Sequence, residues 1–152
     1  MTRLLPVRIP IVLGLSVLGL TLVGCGEEVG RVACVEGEPL SGHARVAAGK
    51  PAALWTDFEA EYADGVKFEY DLKVTGPDGK TLTSCKADPA NVNTRMNSYR
   101  SDGGGRHSRR YLGKLDCDPI RSEVAGDVAI EGEFRVAGTD VSVARCQVVV
   151  RQ

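Results

Sequence analysis

The chain has 152 residues, with 19 Lys and Arg against 20 Asp and Glu, a net charge of −1 and only 5% aromatic residues. Beyond a short leader this length holds one domain, and the even charge balance gives no electrostatic reason to bind nucleic acid. The 18 glycines beside so few aromatic side chains predict many turns around a modest core.

The first segment carries Arg3 and Arg8, then an apolar run over residues 9–24 that ends in Leu22-Val23-Gly24-Cys25. A basic start, an apolar middle and small residues before a cut site describe an export signal. The run is about 16 residues, short of the roughly 20 needed to span a bilayer, and it is interrupted by Pro10, Gly14 and Gly19. Arg3 and Arg8 stay on the cytoplasmic side, so the chain after Cys25 is the translocated part.

The tetrad Leu22-Val23-Gly24-Cys25 resembles the lipobox of bacterial lipoproteins at all four positions. The resemblance covers residues 1–25 alone and speaks of location. It implies a signal peptide over residues 1–24, cleavage before Cys25, a diacylglycerol on the Cys25 thiol and acylation of the new amine. Each buried CH₂ adds about 0.8 kcal/mol, and two or more chains anchor stably where one does not. In such lipoproteins an Asp after the cysteine favours retention at the inner membrane. Gly26 stands there, which favours the outer membrane. Residues 25–30 then form a lipidated tether and residues 31–152 the folded domain.

With Cys25 lipidated, Cys34, Cys85, Cys117 and Cys146 remain, an even number in an oxidising compartment. Two disulfides are the expectation. Four cysteines allow three pairings. We favour Cys34–Cys146, which joins the first and last strands, and Cys85–Cys117, each of which ends a strand-like segment before an Asp-Pro. No two of these cysteines are closer than 29 residues, so there is no metal knuckle, and no metal or other cofactor is implied.

In chain order, residues 31–35 read as a first strand. Residues 36–51 hold Gly37, Pro39, Gly42, Gly49 and Pro51 and read as mostly loop, with a short strand at 43–47. Over residues 53–63, Leu54, Thr56, Phe58, Ala60 and Tyr62 alternate with acidic positions, which is a half-buried strand. The spacing of Leu54, Phe58 and Tyr62 would also suit a helix stripe, but the neighbouring segments are strands. Residues 66–74 are the cleanest element. Strict period two puts Val66, Phe68, Tyr70, Leu72 and Val74 on one face, which has no helical explanation. Gly76-Pro77-Asp78-Gly79 makes a tight turn, and residues 80–87 return as the second arm of a hairpin.

Residues 88–110 are polar, with Gly103-Gly104-Gly105, and are expected to form a long loop with at most a short element near 92–99. Alternation resumes over 111–117 and 128–136. In the last strand the inward set begins with Val141 and Val143, then shifts to Ala144, Cys146, Val148 and Val150. That change of frame predicts a bulge near Ala144-Arg145. Seven or so short strands separated by turns predict an all-β, antiparallel β-sandwich of immunoglobulin-like or related type.

Little in the chain points to catalysis. His43 and His107 lack partners at metal-ligand spacing, and there is neither a GxSxG elbow nor an SxxK motif. Asp57, Glu59, Glu61, Asp64, Glu69 and Asp71 form an acidic stretch expected to line one solvent face across two neighbouring strands. Carboxylates paired about 5–9 Å apart can hydrolyse glycosides, although a solvated sheet face is the commoner use. The most suggestive cluster is Arg95, Arg100, Arg106, Arg109 and Arg110, against the single Asp102. Guanidinium forks take phosphate and carboxylate groups.

These observations favour a membrane-anchored envelope lipoprotein that acts as a non-catalytic binding or assembly module. Its partners would be the membrane through the lipid, with an envelope protein, peptidoglycan or anionic lipid at the arginines, and no nucleic acid. The alternatives are a cell-envelope hydrolase using His107 or the acidic face, and a purely structural envelope protein.

Overall fold

The computed structural model describes residues 26–101 and 104–152, with the side chains of 94–99 and 101 left aside. The lipobox with Cys25 therefore lies outside the described residues, as does Asp102. Nine strands occur among the described residues, and no helix. They are β1 (Glu28–Ala33), β2 (Pro39–Val46), β3 (Ala53–Ala63), β4 (Lys67–Thr75), β5 (Thr81–Ala87), β6 (Asn93–Ser101), β7 (Arg106–Lys114), β8 (Gly126–Ala137) and β9 (Val141–Arg151). A five-stranded sheet, β1-β9-β3-β7-β6, packs on a four-stranded sheet, β2-β8-β4-β5, with every pairing antiparallel.

This is the expected sandwich, of the related kind. In an immunoglobulin constant domain the last two strands share a sheet, whereas β8 and β9 lie in opposite sheets. The chain changes sheet at almost every connection. Only β4–β5 and β6–β7 are hairpins. The β4–β5 turn is the Gly-Pro-Asp-Gly segment. The Gly79 amide donates to the Gly76 carbonyl at 3.0 Å, and Asp78 accepts from the Lys80 amide at 3.2 Å.

Period-two residues build the core. Phe68, Tyr70, Leu72 and Val74 of β4 are all buried, as are Leu54, Thr56, Phe58, Ala60 and Tyr62 of β3. Phe58, Phe68, Tyr70 and Phe134 form an aromatic cluster with ring centroids 4.8–6.4 Å apart. The Tyr70 hydroxyl ends this cluster, 3.1 Å from Thr56 Oγ1 and 3.4 Å from Cys146 Sγ. At Gly132 of β8 a Cβ would come within 2.0 Å of the Asp71 carbonyl oxygen, so β4 and β8 approach only because no side chain intervenes.

Both disulfides join the expected partners, Cys34–Cys146 and Cys85–Cys117. The first ties the end of β1 to β9. The second ties β5 to the β7–β8 connection. The bulge in β9 is also where the frame shift placed it. Glu59 pairs with Arg145 and Ala60 with Val143, which leaves Ala144 as the extra residue.

Four expectations are corrected. The strand β1 begins at Glu28, inside the span expected to be tether, and Glu27 already exchanges backbone hydrogen bonds with Gln152 at 2.8 and 3.0 Å. Residues 39–46 form the full strand β2, because Gly42 stands at an inward position among Leu40, Ala44 and Val46, and hides the alternation. Residues 88–110 are not a long loop but contain β6 and most of β7. Finally, the acidic stretch does not line one face. Asp57, Glu59 and Glu61 lie on β3, and Glu69 and Asp71 on β4, which belong to opposite sheets. The corner around Gly65, with φ at +83°, carries the chain across the sandwich rather than back along it.

The strands give the domain two poles. At one, β1 starts and β9 ends, and Gln152 knits them to the β2–β3 loop through Ala47 and Lys50. At the other lie the β3–β4 corner and the β6–β7 tip. There the Asp64 amide donates to the Gly105 carbonyl at 3.2 Å.

Candidate functional site

The β6–β7 hairpin and the outward face of the five-stranded sheet hold the arginine cluster, and strand alternation sorts it. Arg106, Ser108 and Arg110 of β7 lie on the outward side, while His107, Arg109 and Tyr111 turn toward the core side. Arg109 Nη1 donates to the Tyr111 hydroxyl at 3.3 Å, and that hydroxyl lies 2.9 Å from the Tyr62 hydroxyl. Burial pushes the Tyr62 phenol well above its ordinary value, helped by the Tyr111 hydrogen bond. Burial does the same to Tyr70, against the opposing hydrogen bond from Thr56. Arg109 is thus a structural residue at the end of the core.

Arg110 is committed as well. Its Nε and Nη2 reach Asp57 at 3.2 and 3.4 Å. Asp57 is only 4% exposed although it stands on the outward face, because three guanidinium groups cover it. Arg145 Nη1 of β9 lies 3.4 Å from Asp57, and Arg31 Nη1 of β1 lies 3.6 Å away. Arg31 is held from its other side by Glu28 at 2.7 Å and by Gln147. The Arg31 hydrogen bond holds the Glu28 carboxyl below its usual range, and Glu28 in turn raises Arg31. Arg145 also approaches Glu59 at 3.7 Å. A carboxylate buried on a sheet face is tolerable only with such pairing.

The remaining predicted residues are Arg95, Arg100 and Arg106. Arg100 and Arg106 are exposed near the hairpin tip, opposite Ser108 and Ala63. Arg95 falls at the register shift of β6 between Thr94 and Met96. The five arginines therefore do not form one patch. Two serve the fold, and two are exposed at the pole far from Glu27.

The sequence reading missed Arg31 and Arg145 as partners of Asp57. They come from β1 and β9, and alternation reports the face of a residue but not the strands that flank it. His107 Nε2 lies 2.6 Å from Asp64 Oδ1 and its ring lies 5.7 Å from that of Tyr62, so it fastens the hairpin tip to the β3–β4 corner. His43 is exposed on β2. Among the described residues no group of three His, Cys, Asp or Glu is disposed to hold a metal ion. Nor do the acidic strands converge on a common cleft: the outward carboxylates of β4 are engaged by Lys86 and Arg135 at 3.4–3.9 Å. No family model matches the chain, and comparison with curated proteins and with solved structures found no match.

Proposed function

We propose that this is a lipid-anchored envelope protein whose sandwich acts as a non-catalytic binding module, with the β6–β7 hairpin as its recognition element. The observation that carries the reading is the separation of the two poles. Cys25, the lipidated residue on this reading, stands two residues before Glu27, and Glu27 is bonded to Gln152. Arg100 and Arg106 are exposed at the other end of the strands. The 11 residues of β3 run between the poles, a length of roughly 33 Å at about 3.3 Å per residue.

That distance weighs for some partners over others. Screening at physiological salt acts over about 8 Å, so headgroups of the anchoring membrane exert little attraction on the tip. An envelope protein or peptidoglycan carboxylates fit better than anionic lipid of the same leaflet. Gly26 after the cysteine favours the outer membrane as the anchoring site.

The test is crosslinking in the native envelope followed by affinity capture, comparing the intact protein with Arg100→Ser/Arg106→Ser. A discrete partner captured by the intact protein and lost with the variant is expected. Equal capture by both, or none by either, would overturn the recognition role of the hairpin.

A further inference from the structure

The edges of the two sheets are not equivalent. On one side of the sandwich β1 and β2 close on each other. A Cβ at Gly30 would come within 2.4 Å of the Ala44 Cβ, and one at Gly42 within 2.5 Å of a Val32 methyl, so only glycine permits this approach. On the other side β5 is short, 7 residues, and the Cys85–Cys117 bridge crosses from it to the β7–β8 connection. The remaining edge is β6. It is 9 residues long and, among the described residues, pairs with β7 alone. Its register is broken once, between Thr94 and Met96, and then runs unbroken from Met96 opposite Leu112 to Ser101 opposite His107.

A long regular edge is a template for another strand unless the protein blocks it. Proline is absent from β6, and so is any carboxylate from Ala90 to Ser101; its protection is the break between Thr94 and Met96 and two arginines, which leave residues 96–101 a regular edge. The charged residues of the strand are Arg95 and Arg100. That composition discriminates between occupants. A second copy would bring Arg95 and Arg100 of both chains into one ribbon, and like charges close across a strand pair repel. A strand carrying carboxylates meets the opposite condition.

We propose that β6 is a docking edge that takes an extended, acidic segment of a partner protein as a sixth strand of the five-stranded sheet. The inference rests on the reading of the β6–β7 hairpin as the recognition element and gives its ligand a chemistry. Main-chain hydrogen bonds along residues 96–101 would supply affinity, and the arginines would select acidic side chains, which is the usual division of labour in strand addition. The same arginines keep the edge from pairing with itself.

The test uses the full chain in zwitterionic detergent and capped peptides as long as β6. One alternates Thr and Glu, and a second alternates Thr and Lys. Two further Thr-Glu peptides are N-methylated, one at the odd and one at the even positions. An added strand turns only alternate amides toward its neighbour. The Thr-Glu peptide should bind and slow amide exchange over residues 96–101. The Thr-Lys peptide, and one of the two methylated peptides but not the other, should bind about tenfold more weakly or worse. Arg100→Glu should reverse the preference between Glu and Lys peptides. Equal binding of both methylated peptides would mean simple charge attraction and overturn the edge while leaving the hairpin's recognition role standing. Failure of every peptide to bind would also overturn the edge, and envelope capture that still depends on Arg100 and Arg106 would then show that the recognition role survives without it.

Discussion

Asp57 shows how a single buried charge can organise a surface. Its two oxygens collect Arg31, Arg110 and Arg145 from three different strands. These guanidinium groups keep part of their surface in water, so each pair alone is worth little, but the carboxylate itself is buried and cannot be lost cheaply. Asp57→Ala should cost about 1–3 kcal/mol, read as a lower denaturant midpoint at constant m-value. Arg100→Ser/Arg106→Ser should leave that midpoint within about 0.5 kcal/mol of the parent, as exposed substitutions away from packed features usually do. A midpoint for Asp57→Ala equal to that of the parent would refute the organising role of the carboxylate. Tyr62 and Tyr70 offer a second check. Both phenols are held above the ordinary 10.0. The unfolded chain therefore releases their protons first as pH rises, and the linkage sign makes stability fall above about pH 10. Below that pH their contribution is fully present. In an alkaline titration their phenolate absorbance should appear only together with unfolding. Independent ionisation near pH 10 in the native protein would contradict their burial.

Elements differ in how plainly they can be read, and the difference is physical. Strand β4 was legible because Phe68, Tyr70, Leu72 and Val74 face a packed sheet while their neighbours face water. The β9 bulge was legible because an extra residue must change the parity of the inward set. The β6–β7 hairpin was not. Arg106, His107, Ser108, Arg109 and Arg110 are polar on both faces, since the strands there reach the end of the core and Arg109 and His107 close it with hydrogen bonds. Nor could parity reveal that the acidic residues divide between sheets, because it names a face and says nothing of which sheet. At Gly132 the sequence offered no hint that β4 lies within van der Waals distance of the backbone. Gly132→Ala should destabilise by about 1–3 kcal/mol through forced separation of β4 and β8, with Leu72→Ala as a cavity-type comparison of the same pair of strands. Thermal unfolding unchanged in Gly132→Ala would mean that the strands separate freely.

For the whole molecule the disulfides are the largest single contributions that can be removed. The loops they close span 32 and 112 residues. Chain-entropy reasoning assigns them about 4 and about 5 kcal/mol, most of a small domain's net stability. Reduction should therefore lower the melting temperature sharply, and mass labelling of the native protein should find Cys34, Cys85, Cys117 and Cys146 unreactive. Labelling of those thiols before unfolding would refute the bridges. For the proposed anchor, Cys25→Ala should release the protein from the membrane fraction, and unchanged fractionation would remove the lipid from the account.

The crosslink between Cys34 and Cys146 has a mechanical meaning. A partner held at the β6–β7 tip and a lipid held before Glu27 would pull the domain along its strands, and β1 would feel that force first. Because β1 runs lengthwise beside β9, its ladder is loaded in shear, all bonds together, rather than unzipped one at a time. The bridge lies at the far end of β1 from the pull, so β1 would stay tied to β9 even where its ladder gave way. Oxidised, a domain anchored and gripped in that way would act as a stiff link between the bilayer and its partner. Reduced, the same pull would strip β1 away and leave a longer, softer leash.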